Sequence, residues 1–417
     1  MKKTSIFLIS ILIFEFSFSQ TITTISKENY KNATFENLNF LEDDLENVKF
    51  VGLGEALHFM GETYTAKIKM VKFLHEKCGF DVLAFESPMY NLDVLNRQLK
   101  RGIANSDTIA RNISGVWNTR EMMELFTYII STQKTQNPLE LVGFDESFFK
   151  VNKKYNLPKD FSEFIRNLED KSQQDFKLDS IFYNAISETA NKAYGFSKRN
   201  PSDTLLMFNK FKEINLALES ISYKEDNYLN FWKHMVDNLQ SVYRKNYGFA
   251  NRDKQMAINA EFLGNDLFPN KKIILWAATS HLIYNTESIK AYKESDKFNK
   301  NKMGTYLRDK FNQQYFLMAF TPFSGKSGFR GYLGIAKTKV RSKKGSLEQY
   351  INKTYNTDYA YIAFRNKKIN QYFTDNIIKS NIIWMKGVWY NGEEMEINNV
   401  ADGIFYIRKE HIINAEK

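Results

Sequence analysis

The stretch between residues 50 and 89 constrains the fold more than any other part of this chain. Residues 50–53 form a short apolar run, typical of a strand covered on both faces in a parallel sheet. From residue 63 the apolar positions recur with a period near 3.6, and Gly79 stands where a glycine commonly ends a helix. Residues 81–85 predict a second buried strand. Because a strand, a helix and a parallel strand form a right-handed crossover, both strands end at one edge of the same sheet.

Four polar side chains lie at the turns of this pattern. Glu55 and His58 follow the first predicted strand, and Glu86 follows the second. Ligands of open α/β sheets bind beside the carboxyl ends of the strands, so we expect these three side chains to converge. Lys67 projects from the apolar side of the predicted helix, and it must reach water or a carboxylate because an unpaired buried charge is very costly. A lone carboxylate at a strand end is usually a cap, but four such residues together favour a functional site.

The run Gly-Glu-Ala-Leu-His at residues 54–58, the helix after it and Glu86 resemble the start of the erythromycin esterase family. The resemblance continues through Trp117, the Gly-Phe-Asp run that ends at Asp145 and the Asn-Arg-Asp run around Arg252, so it extends along most of the chain. Members of that family hydrolyse the macrolactone ring of macrolide antibiotics. The resemblance therefore implies a carboxylic ester hydrolase that acts on a macrolide.

A further predicted strand, residues 272–276, is followed by Ala278 and His281. The family usually has two histidines here, three residues apart, and His281 matches the second. Ala278 occupies the place of the first, and this departure favours an alternative in which a related esterase or lactonase acts on a different substrate. A second alternative is a small-molecule binding protein of the same fold without catalytic activity.

Ester hydrolysis needs a nucleophile, a proton acceptor and a group that stabilises the oxyanion. The chain has no Gly-x-Ser-x-Gly motif, so the local signature of many serine hydrolases is missing. We therefore expect His58 to remove a proton from water, with Glu86 or Glu55 orienting its ring. Three further residues are candidates for binding the substrate or the oxyanion: Lys67, His281 and Arg252.

A metal site is the main mechanistic alternative, because Glu55, His58, Glu62 and His281 are all metal-ligand residue types. The His-Glu-x-x-His motif and cysteines at metal-binding spacing are both missing, and the family that the chain resembles works without metal. Residues 322–334 are interpreted as a glycine-rich loop, but they lack the phosphate-loop pattern. We therefore predict neither a metal nor an organic cofactor.

Strand patterns recur further along the chain, at residues 139–144, 315–320, 359–364 and 403–407. Residues 151–268 show only helical spacing of apolar positions. The sequence thus predicts an α/β fold with a mostly parallel central sheet flanked by helices, and a large helical insertion that covers the carboxyl edge of the sheet as a lid. The predicted parts are 20–150 and 269–417 for the core and 151–268 for the insertion.

The first 19 residues have the pattern of a secretory signal peptide, with two lysines, an apolar run and small residues before the cleavage position. We therefore predict a periplasmic or secreted protein that acts on a small molecule and has no stable membrane insertion. The formal net charge is +10, yet basic and acidic residues are mixed except in short clusters such as residues 337–344, KTKVRSKK. We interpret this charge as a solvated surface, with weak attraction to anionic envelopes as the lesser alternative, and predict no nucleic-acid partner.

Overall fold

The computed structural model describes residues 22–31, 34–148, 156–191, 201–244, 251–294, 299–331, 334–365, 373, 377–383 and 392–413. The predicted signal peptide, residues 1–19, lies outside these ranges, so export remains a prediction. In the described ranges, no helix is both long enough and apolar enough to cross a membrane.

A nine-stranded sheet forms the centre of the described part of the chain. The strands of the described ranges, including two outside this sheet, are β1 (Ile22–Ile25), β2 (Phe50–Glu55), β3 (Val82–Pro88), β4 (Glu140–Asp145), β5 (Ile273–Ala278), β6 (Tyr315–Gly331), β7 (Gly334–Arg341), β8 (Tyr359–Ala363), β9 (Ile378–Ser380), β10 (Glu393–Met395) and β11 (Gly403–Glu410). Their order is β1-β8-β11-β6-β2-β5-β3-β4, with β7 paired to β6, while β9 and β10 pair separately. The neighbours from β11 to β4 in this order are all parallel, so the prediction of a mostly parallel sheet is confirmed.

Helices flank the sheet, as predicted. Those in the described ranges are α1 (Lys27–Lys31), α2 (Glu42–Leu45), α3 (Gly61–Cys78), α4 (Met89–Lys100), α5 (Ser106–Asn112), α6 (Met123–Thr132), α7 (Leu157–Ser172), α8 (Ser180–Asn191), α9 (Pro201–Glu219), α10 (Asn227–Arg244), α11 (Arg252–Phe262), α12 (Thr279–Leu282), α13 (Lys290–Lys293), α14 (Met303–Phe311) and α15 (Leu347–Tyr355). Helices α7 to α11 occupy the segment between β4 and β5. Asn259 of α11 donates from Nδ2 to the Phe144 carbonyl at 3.0 Å, which ties α11 to β4. The division of the chain into domains stays a prediction.

The β2-α3-β3 unit has the form that the sequence indicated. All six residues of β2 are buried. Successive residues face opposite sides of the sheet, so that Phe50 packs in the hydrophobic core on one side and Val51 in the core on the other. Burial on both faces explains why this run is apolar without alternation. Helix α3 ends at Cys78, and Gly79 follows in the left-handed conformation at a φ of 71°. The predicted terminal glycine of this helix is therefore confirmed.

The prediction of a glycine-rich loop at residues 322–334 is wrong. Strand β6 continues through most of this range and pairs with β7 as a hairpin. Pro322 still lies in the parallel pairing with β11, opposite Ile407. Gly325 has a φ of 126°, and a Cβ atom there would overlap the backbone of Glu410. A glycine that suggested a loop instead allows two strands to approach closely.

Candidate active site

The carboxyl ends of three adjacent parallel strands form the candidate site. Glu55 is the last residue of β2, Ala278 is the last residue of β5, and Glu86 lies two residues before the end of β3. Strand β5 lies between β2 and β3 in the sheet. The two carboxylates therefore belong to strands on either side of the strand that ends at Ala278, at the edge where the sequence placed them.

Glu55 is fully buried and bonded to three different side chains. Its Oε1 atom is 3.0 Å from Nδ1 of His58 and accepts a hydrogen bond of 3.2 Å from Nε1 of Trp117. Its Oε2 atom accepts a bond from Nζ of Lys67. The carboxylate thus links a loop, an indole ring and helix α3 at the end of β2.

Lys67 has no exposed surface, and its Nζ atom lies 4.1 Å from the centre of the Trp276 ring. Burial lowers the pKa of Lys67 to about 8, against the opposing effect of the Glu55 and Glu86 carboxylates. The sequence predicted that Lys67 reaches either water or a carboxylate. In the structure it reaches a carboxylate, that of Glu55. Because Lys67 has no exposed surface in this structure, contact with a substrate would need a rearrangement.

His58 is held by one ring nitrogen and keeps the other available. Its side chain is 29% exposed. Nδ1 faces Glu55, and Nε2 has no hydrogen-bond partner among the described residues. Burial lowers the pKa of His58, but the hydrogen bond and charge of Glu55 and the charge of Glu86 outweigh that effect and raise it above its ordinary value. A histidine oriented in this way can accept a proton at Nε2 while Glu55 stabilises the imidazolium.

Glu86 belongs to a second group of charges. Its Oε1 atom accepts a 2.9 Å bond from Arg252, and its Oε2 atom accepts a 3.2 Å bond from the backbone N–H of Ala278. Arg252 also donates to both carboxylate oxygens of Asp145, at 3.1 Å and 2.8 Å. Burial would raise the pKa of Glu86, but the charges of His281, Arg252 and His58 lower it to about 2. Of the two acids expected to orient His58, Glu55 makes the hydrogen bond in this structure.

His281 lies between an acid and a guanidinium. Its Nδ1 atom is 2.7 Å from Oδ1 of Asp253, and its Nε2 atom is 3.1 Å from NH1 of Arg252. A guanidinium only donates hydrogen bonds, so its contact with Nε2 fits the neutral ring, whereas Oε1 of Glu86, 3.4 Å from the same nitrogen, fits the protonated ring. Burial would raise the pKa of Asp253, but its bond to His281 and the charges of His281 and Lys302 lower it.

The structure brings the six predicted site residues into two adjoining groups: Glu55, His58 and Lys67 in one, and Glu86, Arg252 and His281 in the other. Sequence reasoning gave less weight to Asp145, Asp253 and Trp117. In the sequence, Asp145 and Asp253 stand out only within the runs that carry the family resemblance. The signal that could have found Asp145 is its position at the end of β4, at the same edge of the same sheet.

Three other histidines lie outside these groups. His234 is buried and stacked on Phe262 with ring centres 4.0 Å apart, and burial lowers its pKa to about 4. His75 is within 2.7 Å of the hydroxyl of Tyr128, and His411 pairs with Glu62 at 3.3 Å. Within the described ranges, no three His, Cys, Asp or Glu residues are grouped so that they could hold a metal ion.

The chain is similar to several known proteins. A family model described as "Erythromycin esterase" matches residues 75–409. A protein of Bacillus subtilis (strain 168) named "Putative hydrolase YbfO" is 27% identical over 353 residues, covering 75% of this chain and 76% of that protein. A protein of Escherichia coli named "Erythromycin esterase type II" is 20% identical over 434 residues, covering 93% and 95% of the two chains.

A solved structure of a mutant of the erythromycin esterase EreC, in its open conformation, has the same fold. The TM-score is 0.61 at 15% sequence identity, and the match covers 95% of this chain and 99% of that chain. At this identity the similarity concerns the fold alone. It agrees with the α/β architecture and with the mostly parallel sheet.

Proposed function

The chain belongs to the erythromycin esterase family, and we propose that it opens the macrolactone ring of macrolide antibiotics as an exported carboxylic ester hydrolase. The family and the named relatives make it a hydrolase. The macrolide substrate is proposed from the relative named erythromycin esterase type II. Export is proposed from the first 19 residues of the sequence, and it would let the enzyme confer resistance by opening the antibiotic before it enters the cytoplasm.

The observation that carries this proposal is the 3.0 Å approach of Glu55 Oε1 to His58 Nδ1, which leaves Nε2 of a partly exposed imidazole available. In the proposed reaction, Nε2 takes a proton from water while the water oxygen bonds to the ester carbonyl carbon. The tetrahedral intermediate then loses the alkoxide, which receives the proton from His58. Glu55 stabilises the imidazolium between these steps, and no acyl-enzyme forms.

Arg252 is proposed to stabilise the oxyanion of the tetrahedral intermediate. Its side chain is 25% exposed and carries a permanent positive charge. Glu86 and Asp145 hold the guanidinium from two strands, so its position is set before the substrate binds. The buried Lys67 is proposed to act on the other carboxylate, by keeping Glu55 charged and fixed beside His58.

A different ester or lactone is the second candidate substrate, and Ala278 favours it. The family pattern places a histidine here, but the structure has a half-buried methyl side chain at the end of β5. The backbone N–H of Ala278 donates to Glu86, but its methyl side chain can neither donate nor accept a hydrogen bond. A site with one imidazole fewer has one proton donor fewer for recognising the substrate, which would change substrate choice.

Mass spectrometry of macrolides incubated with the purified mature chain tests the proposed substrate. The panel contains macrolides of different ring sizes and simple aliphatic and aromatic esters. A macrolide that gains the mass of one water supports the main proposal, and turnover restricted to other esters or lactones supports the second candidate. Binding without turnover across the whole panel would contradict both and favour a binding protein of the same fold.

A chelator tests the metal-free mechanism that is proposed with this function. Dialysis against a strong chelator, followed by assay in chelator-treated buffer, should leave the rate of ester hydrolysis unchanged, because the proposed water activation uses His58 alone. A rate that falls after dialysis and returns with added zinc would contradict the proposed mechanism.

A further inference from the structure

A basic ribbon, defined here as residues 324–346, consists of the pairing of the second part of β6 with β7 and of the five residues that follow β7. Its sequence contains seven Lys and Arg residues and no Asp or Glu: Lys326, Arg330, Lys337, Lys339, Arg341, Lys343 and Lys344. The pairing of β6 with β11 ends at Gly325, and the residues of β6 beyond this point pair with β7. The ribbon therefore extends past the parallel sheet as a two-stranded arm with charge of one sign.

Strand register collects four of these cations on one face: Lys326, Lys337, Lys339 and Arg341. Lys326 is directly opposite Lys339, and Lys337 is opposite Gly328. Residues opposite each other in an antiparallel pair point to the same face, and so do alternate residues along a strand. Lys326, Lys337 and Lys339 are all exposed, whereas Thr338 and Val340, which alternate with them along β7, are buried. The exposed face thus carries three lysines on two neighbouring strands.

The described residues do not neutralise the three lysines of this face. The structure pairs none of Lys326, Lys337 and Lys339 with a carboxylate in the described ranges. Like charges directly opposite each other on a sheet are destabilising, and Lys326 and Lys339 have that arrangement. An anionic partner would remove this repulsion. If the ribbon had only a structural role, one neutral residue in place of either lysine would remove the repulsion as well.

The opposite face of the ribbon anchors it beside the candidate active site. Val340 packs with Ala56 and Met60, which flank His58 in the loop after β2. The backbone N–H of Gly328 donates to the carbonyl of Phe59 at 3.2 Å. The inner face is therefore occupied by the protein itself, and only the basic face is left for a partner.

We propose that the basic ribbon binds the surface of a lipid bilayer that contains anionic phospholipids. A face with cations on two adjacent strands and no acid matches a plane of anionic headgroups, and such attraction needs no spanning helix. Nucleic-acid surfaces add aromatic or amide side chains that stack on bases or contact their edges. The described positions of this face are Ser324, Lys326, Gly328, Lys337, Lys339 and Arg341, which include neither type. The inference goes beyond the proposed function and holds whichever ester is hydrolysed.

Sedimentation with vesicles tests this proposal on the full mature chain. Vesicles of phosphatidylcholine with about 30% phosphatidylglycerol should carry the protein into the pellet at low salt, whereas pure phosphatidylcholine vesicles should not. Raising the salt from about 50 mM to about 500 mM should release it, because the attraction is screened. Equal binding to neutral vesicles, or binding that survives high salt, would overturn the proposal.

Charge variants locate the interaction on the ribbon. The triple variant Lys326→Gln, Lys337→Gln, Lys339→Gln should lose roughly 100-fold in affinity for the anionic vesicles. The matched variant Lys77→Gln, Lys212→Gln, Lys254→Gln removes the same charge from exposed helix positions and should lose much less. An equal loss in both variants would show a general effect of net charge and would contradict the ribbon. Thermal melting of all three proteins checks folding.

Duplex DNA is the competing polyanion. At matched salt, the wild-type chain should bind anionic vesicles more tightly than a DNA duplex without a specific sequence. Tighter binding to the duplex, lost in the ribbon variant, would assign the ribbon to nucleic acid and overturn the bilayer proposal.

Discussion

At the scale of single residues, the site depends on one buried carboxylate. Glu55 contacts His58, Trp117 and Lys67, and it has no exposed surface. The sequence predicted Glu55 and His58 because both follow the same buried strand. It could not predict the partners of Arg252, because Asp145 is 107 residues away and only the three-dimensional fold brings them together. For that reason, local patterns predicted the contacts within the Glu55–His58–Lys67 group better than those around Arg252.

The substitution Glu55→Gln should move the acid limb of the activity profile. Glu55 raises the pKa of His58, and His58 must be neutral to accept a proton from water. Without the charge, the pKa of His58 falls, so the rate is retained to lower pH, while the maximal rate drops because the imidazolium is less stabilised. Measuring kcat/KM against pH for both proteins tests this. An acid limb at the same pH in both would contradict the assigned bond.

The substitution Lys67→Met should destabilise the fold by about 3 kcal/mol, because it leaves the Glu55 carboxylate buried without its cationic partner. Lys77→Met is the matched control, since Lys77 lies on the same helix and is exposed. Urea unfolding of the two variants gives both free energies. If the two substitutions cost the same, the Lys67–Glu55 pair does not stabilise the fold.

At the level of helices and strands, the elements with a clear hydrophobic pattern were the ones that the sequence predicted. The β2-α3-β3 unit was predicted because its helix and strands have distinct periods and Gly79 marks the boundary. The extension of β6 was missed because Pro322 and several glycines are typical of loops. In the structure those residues lie where β6 leaves the parallel sheet and passes close to β11, so their reason is a tertiary contact that no local pattern shows.

Two glycine substitutions distinguish the cost of a positive φ from the cost of a steric overlap. Both Gly79 and Gly325 have positive φ, but a Cβ atom has free space at Gly79 and overlaps the backbone of Glu410 at Gly325. Gly79→Ala should cost about 1–2 kcal/mol in unfolding free energy, and Gly325→Ala should cost at least about 3 kcal/mol. Chemical denaturation measures the difference. Equal costs would show that the close approach of β6 and β11 is absent in solution.

At the scale of the whole molecule, the ion network of the candidate site also joins separate parts of the fold. Glu86 lies on β3, Asp145 ends β4, and Arg252 begins α11, the last α-helix described between β4 and β5. Arg252 donates to both carboxylates. The same charges that are proposed to bind the oxyanion therefore hold α11 against the edge of the sheet.

Acid should loosen this network in a defined pH range. The folded-state pKa of Glu86 is lowered from 4.5 to about 2, so its contribution to stability is complete above pH 4.5 and is lost as the pH falls towards 2. The variant Glu86→Gln lacks this contribution at every pH and should lose less stability on acidification than the wild type. Melting temperatures measured between pH 6 and 3 test the difference, and parallel curves would contradict it.

Water activation by His58 is tested by the ester hydrolysis rate of His58→Ala on whichever substrate the wild type turns over. We expect a loss of at least about 100-fold in kcat/KM with an unchanged melting temperature, because the general base is removed from a partly exposed position. Leu57→Ala, which shortens the neighbouring side chain of the same loop, should keep most of the activity. A His58→Ala protein that hydrolyses the substrate at a rate close to the wild type would contradict water activation by His58.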